Sequence, residues 1–217
     1  MTTPVLYIGN KVYSSWSMRP WLALKHANID FVESPVHLYD DAAGDVLNAL
    51  SPVGTVPVLT VGDLVVWDSL AICEWAAEQV PNLWPADATK RAVARAATAT
   101  MHAGFGAIRS TYHHNIKRAE PLRTAPPQAA VAEVAMMDRM LGALKTTWGQ
   151  GGDYLFGDWS IADAFYTPMA VRVRAYDLPV SATVRAYFAN LLANEDFKLW
   201  QADAVREDYA HPPYESV

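Results

Sequence analysis

Between Val5 and Trp67 the apolar residues fall in four short β-branched runs, VLYIG, FVESPVHL, VPVLTV and LVVW, separated by turns and helical stretches. This is the pattern of strands. Gly62 and Asp63 join the last two runs, a two-residue connection that closes an antiparallel hairpin with glycine supplying the positive φ. A segment from about Ser17 to Asn28 separates the first two, long enough for a crossover helix and therefore a parallel pair. The N-terminal part is thus predicted to be βαβ followed by ββα, with a four-stranded mixed sheet. From Thr89 onward strand signals almost vanish, and Ala, Arg, Met and Leu recur at helical spacing in RAVARAATATMHAGFGAIR, AAVAEVAMMDRMLGALK and SATVRAYFANLLA. The string QVPNLWPAD, with two prolines and no periodicity, marks the change. The expected organisation is an α+β domain over residues 1–80, a linker over 81–88 and an all-α helical bundle over 89–217. AEPLRTAPP is a proline-rich break between helices of the second part.

Composition narrows the function. Half of the 217 residues are apolar, enough for a buried core. With 17 basic against 23 acidic residues the net charge is −6, which argues against a nucleic-acid partner. The absence of a leader pattern and of a span of about 18 uninterrupted apolar residues argues against a membrane and for a cytoplasmic location. The single Cys73 lies in the apolar SLAICEWAA and reads as a small buried hydrophobe. His113 and His114 are adjacent, but neighbours on a helix point apart and no ligand motif accompanies them, so no metal is expected. In GDWSIADAF, Ser160 precedes Asp163 by three residues, a capping-box variant with a structural role.

Three strings carry candidate chemistry. In GTVPVL, Pro57 forces Val56 into extended backbone, and such an edge can accept a small peptide as an added strand. An ordinary proline-containing edge strand fits the same residues. In VVWDSLAIC, Asp68 and Ser69 open a helix directly after a strand. Both can cap it, and the helix N-terminus can also take a ligand carboxylate on Ser69 while Asp68 takes an adjacent ammonium. In NKVYSSWSMRPWLALKHA, Ser14, Ser15 and Ser17 cluster before a helix in which Pro20 is expected in the first turn. The positive end of that helix and a hydroxyl donor together favour a thiolate over a thiol.

The order of βαβ, the TVP turn, a hairpin, DS opening a helix, and a helical half carrying SIAD resembles the cytosolic glutathione transferase family over essentially the whole chain. The resemblance implies a thioredoxin-like first domain, glutathione as cosubstrate and a homodimer. SSWS before Arg19 is similar to the SSCS of the zeta class, which puts the family's catalytic serine on Ser14; the delta and theta pattern would put it on Ser15. The first alignment is preferred. Tyr7 and Tyr13 are rivals from the tyrosine-using classes.

The same resemblance implies that Val56 pairs with the cysteinyl backbone of glutathione beside a cis Pro57, and that Asp68 and Ser69 hold the γ-glutamyl end. Where many members have lysine for the glycyl carboxylate this chain has Thr55, which leaves Lys11 or His37 as candidates. The second substrate, a small hydrophobic electrophile, would be walled by Trp16, Met101, Phe105, Ile108 and Tyr112, of which Met101, Phe105 and Ile108 also read as core. Gly104 and Gly106 suggest close approach of a neighbour, such as the other subunit. Zeta-type isomerases hold a substrate carboxylate with an arginine late in the capping-box helix, but the matching residue is Ala175, with Arg172 and Arg174 read as solvated charges. Conjugation is therefore the expected reaction. A glutathione-dependent isomerase or reductase, or a non-enzymatic binding module, are the alternatives.

Overall fold

Alternation sets the first strand. In β1 (Val5–Ile8) Leu6 and Ile8 are buried while Val5 and Tyr7 are half-buried, as a period of two requires. The computed structural model describes residues 2–38, 43–122, 124–208 and 210–215. Helix α1 (Ser15–His26) carries the chain from β1 to β2 (Val32–Pro35), which pairs with β1 in parallel. After α2 (Ala43–Leu50), the hairpin of β3 (Val58–Val61) and β4 (Leu64–Trp67) completes the sheet in the order β2-β1-β3-β4, with β3 antiparallel to both neighbours. Gly62 sits at φ +59°, as the hairpin demands. Helix α3 (Ser69–Gln79) then leads through a 3-10 turn, Pro81–Leu83, to the helical half.

That half consists of α4 (Ala88–Ala103), α5 (Gly106–Thr111), α6 (Gln128–Trp148), α7 (Ile161–Tyr176), α8 (Ala182–Ala193), α9 (Glu195–Arg206) and the short α10 (Pro212–Glu215). One departure from the periodicity is informative. The single helix expected through residue 109 is broken at Gly104 and Phe105, the latter in the left-handed region at φ 58° and almost fully buried. Burying that ring turns the chain, and the Ile108 amide of the new helix end is satisfied by Glu133 of α6 at 2.9 Å. The close approach at Gly104 comes from its own helix: a Cβ there would meet the Thr100 carbonyl oxygen at 2.6 Å, whereas at Gly106 nothing lies within 4 Å.

Helix α1 packs between α3 of the sheet half and α7 of the helical half. One continuous core therefore runs through Leu6, Met18, Trp21, Ile72, Phe165 and Trp200. Pro20 lies in the second turn of α1, not the first. Burial of Met18, Trp21, Leu22 and Leu24 on both sides outweighs the lost amide bond.

Asp163 anchors α7. Its carboxylate, fully buried, accepts from the Ser160 amide at 2.8 Å, the Ser160 hydroxyl at 3.1 Å, the Leu155 amide at 3.1 Å and the Tyr187 hydroxyl at 2.9 Å. Burial raises its pKa to about 6 despite those four donors. Asp163→Ala should lower stability by about 3 kcal/mol because it strands buried donors. Ser160→Ala should cost about 1 kcal/mol. Urea unfolding at neutral pH, with an unchanged m-value, checks both.

Candidate functional site

The three chemistry-bearing strings meet at the C-terminal end of β1 and the start of α1. A cavity of about 290 Å³ is lined by Trp16, Thr55, Val56, Pro57, Asp68 and Ser69, so all five residues expected to cradle glutathione lie together. The Val56–Pro57 bond is cis. Ser69 Oγ is buried without a hydrogen-bond partner, a polar atom of the kind that a ligand satisfies. Asp68 sits at φ 78°, a conformation that L-residues rarely adopt. Its Oδ1 accepts from the Leu70 amide at 2.7 Å and the Ala71 amide at 3.3 Å, the capping role, while Oδ2 lies 3.3 Å from His102 Nε2 of α4.

At the start of α1, Ser14 is the N-cap: its Oγ accepts the Ser17 amide at 3.3 Å and donates to Ser17 Oγ at 2.8 Å. Ser17 Oγ in turn accepts the Gly9 amide at 3.1 Å, so Ser17 ties the helix to the end of β1. Ser15, the first helical residue, lines a second cavity of about 360 Å³ with Tyr13, Trp16, Gly106, Arg109, Ser110, His113, His114, Arg172 and Tyr214. Trp16 belongs to both cavities and separates them.

The second cavity is not the apolar slot expected from the sequence. Of the five residues assigned to its wall only Trp16 lines it; Met101, Phe105 and Ile108 are buried in the core, the other reading their helical spacing allowed, and Tyr112 is buried with them. The break after Ala103 turns their helical stripe inward. Arg109 and Arg172 stand in the wall instead, and no carboxylate is among the described residues that line it. Arg172 is a buried residue rather than a solvated charge: its Nε donates to the Tyr112 carbonyl at 2.8 Å and its Nη1 to the Pro168 carbonyl at 3.1 Å. Burial, followed by the charge of Arg109, brings its pKa down to about 10. Arg174 is exposed, as expected. Beneath Trp16 lies a third guanidinium, Arg19, 4.1 Å from that ring and 4.8 Å from the Phe165 ring. It is fully buried, its Nε and Nη1 have no partner, and its pKa falls to about 9 through burial and then through Arg172 and Arg109.

The rivals and spare candidates are placed elsewhere. Tyr7 and His37 line a separate hollow beside α2. Tyr13 borders the second cavity, and its hydroxyl bonds Glu215 at 2.5 Å and the His211 amide at 2.9 Å. Lys11 cannot serve the glycyl carboxylate, because its Nζ is paired with Glu33 at 2.6 Å and Asp203 at 2.7 Å between the Trp21 and Trp200 rings. Cys73 is buried, and burial pushes its thiol pKa far up. His113 and His114 lie beyond α5, outside any helix, and border the same cavity. Among the described residues no group of three or more His, Cys, Asp or Glu side chains could hold a metal ion, and no helix is long and apolar enough to cross a membrane.

Sequence comparison agrees with this geometry. Residues 13–79 match the family described as glutathione S-transferase, N-terminal domain, and residues 121–206 match glutathione S-transferase, C-terminal domain. The chain belongs to the glutathione S-transferase family. It is 30% identical over 183 residues to a probable maleylacetoacetate isomerase of Caenorhabditis elegans, covering 82% of each chain. It is 28% identical over 204 residues to the maleylacetoacetate isomerase of Rattus norvegicus, covering 90% of this chain and 91% of that one. A solved holo structure of maleylpyruvate isomerase, described as a bacterial zeta-class member, superposes with a TM-score of 0.72 at 26% identity over 95% of this chain and all of that one. The sheet half is thioredoxin-like and the second half is the helical domain of the family.

The buried histidine gives a pH dependence. Burial holds the pKa of His114 well below the ordinary 6.5, with Arg172 adding to the effect. Its folded pKa lies below its unfolded one, so under about pH 6.5 the unfolded chain binds the extra proton and stability falls on acidification. Asp163, with a raised folded pKa, acts in the opposite sense, but that contribution cancels between variants. The loss of stability between about pH 7 and pH 5 should therefore be smaller in His114→Gln than in the natural chain, at about 1.4 kcal/mol per pKa unit removed. Urea titrations at the two pH values measure it.

Proposed function

We propose that this family member uses glutathione to isomerise a small unsaturated carboxylic acid of the maleyl type. The observation that carries the reading is the second cavity: Arg109 and Arg172 border it, Arg19 lies buried beside it, and no carboxylate is among the described residues that line it. Such a wall selects an anion. Arg172 precedes Ala175 by one turn of α7, so it faces the same way as the position that zeta-type isomerases use. The isomerase names of the relatives support the same reaction.

In this reading glutathione lies along Val56, with its γ-glutamyl carboxylate on the Ser69 hydroxyl and amide and its ammonium on Asp68. The sulfur sits at the N-terminus of α1, where a serine hydroxyl and the helix dipole stabilise the thiolate. The thiolate adds to one alkene carbon while the π electron pair moves onto the conjugated carbonyl oxygen. The former double bond rotates, and the enolate collapses to expel the thiolate, so no atom is gained or lost. The arginines hold the carboxylate and stabilise the enolate. Conjugation to a neutral hydrophobic electrophile is the weaker reading, because desolvating it against two guanidinium groups gains nothing. The expected homodimer belongs to the same proposal and is supported by Leu64 and Trp67, both exposed on the edge strand β4.

Arg109→Leu should lower kcat/KM for a maleyl keto acid by about a hundredfold, the loss of a charge-assisted contact in the transition state. Turnover of an uncharged electrophile should be spared. Equal loss on both substrates, or conjugation without isomerisation by the natural enzyme, rejects the isomerase reading. For the serines, Ser14→Ala should also destabilise the fold by about 1 kcal/mol as a lost N-cap, whereas Ser15→Ala should not. Ultraviolet titration of bound glutathione then identifies the thiolate donor as the serine whose removal raises the thiol pKa more.

A further inference from the structure

The γ-glutamyl end of the cradle contains a residue from the other half of the molecule. Asp68 has two carboxylate oxygens: Oδ1 is occupied by the Leu70 and Ala71 amides, and Oδ2 faces His102 Nε2 at 3.3 Å. His102 lies in the last turn of α4, in the helical half. Its ring is fixed edge-on to Trp16, with centroids 5.4 Å apart, and tilted against Phe165 at 6.1 Å. Its carbonyl oxygen accepts from Arg109 Nη1 at 3.2 Å. The ring is therefore braced by the tryptophan that separates the two cavities, and its backbone by an arginine of the second one.

The protonation state follows from the surroundings. Nδ1 is buried without a partner, and Nε2 is the ring nitrogen that faces Asp68 Oδ2, at 3.3 Å. Burial depresses the His102 pKa; Asp68 opposes this, and Arg19 and Arg109 add to it. A neutral imidazole packed against the carboxylate leaves its charge in place, whereas a cation there would compete with an incoming ammonium. The strained Asp68 backbone, at φ 78°, lets the carboxylate face α3 and α4 together.

We infer that His102 is a positioning residue for glutathione recognition: it holds Asp68 Oδ2 so that the carboxylate receives the α-ammonium of the γ-glutamyl group. The inference rests on the proposal that this cavity binds glutathione. It means that the helical half, through α4, takes part in choosing the thiol cosubstrate as well as the second substrate.

The test uses calorimetry with two ligands, glutathione and glutaryl-cysteinylglycine, which lacks only the α-amino group. The natural protein should prefer glutathione. His102→Ala should bind glutathione about tenfold more weakly, as for a lost polar contact to a charged group, and bind the desamino ligand with affinity unchanged within about twofold. His102→Gln, whose amide can also donate to Asp68, should recover most of the glutathione affinity. Equal weakening toward both ligands in His102→Ala would make the residue merely structural and overturn the inference, as would no weakening at all. If the natural protein bound the two ligands equally well, Asp68 would not hold the ammonium and the inference would fail while the glutathione site stood. Binding of neither ligand at millimolar concentration would refute the proposed function itself.

Discussion

Helix α1 is buried from Ser17 to Leu24 and packed between α3 and α7, and the position of every chemical group at the site depends on that packing. The helix starts at the end of β1, where Ser17 receives the Gly9 amide, so its N-terminal amides and serines are held against the sheet. One turn further on, Arg19 is buried between Trp16 and Phe165 with two nitrogens unpartnered. A buried guanidinium is costly, and stacking on two rings offsets only part of that cost. What remains is a positive field at the place where the fold collects its ligands.

Charge distribution explains more than shape does. The chain is acidic overall, yet Arg19, Arg109 and Arg172 converge near Trp16, with Asp68 acting on Arg19 and Glu133 on Arg109. Each of the three has its pKa lowered, first of all by burial. Such a cluster is stable only if its surroundings supply electron density, here backbone carbonyls and ring faces. An anionic ligand would complete it. The two cavities therefore differ in charge: the described lining of one includes the Asp68 carboxylate, and that of the other includes two arginines and no carboxylate.

The core is continuous across both halves, so the site is an interface within one folded unit. Asp163 fixes α7 from one end, and α7 carries both Phe165 against Arg19 and Arg172 into the second cavity. Lys11, which in sequence invited a ligand role, is consumed in pairing Glu33 with Asp203 and thereby ties β2 to α9.

By itself the sequence determined the strand runs, the hairpin at Gly62 and the change to helices after the linker prolines, and it singled out Thr55, Val56, Pro57, Asp68 and Ser69, which line one cavity. These are local: a proline restricts its neighbour, a cap follows a strand, and period-two burial needs only a few residues. Tertiary structure decided the rest. The stripe of Met101, Phe105 and Ile108 faces the core because the chain turns at Gly104 and Phe105, a break that depends on where Phe105 can be buried. The second cavity is cationic because Arg109 and Arg172, 63 positions apart by their numbers, are brought together by packing. His102 reaches Asp68 for the same reason. Spacing reports which residues share a helix face, whereas burial and long-range pairing depend on what that face meets.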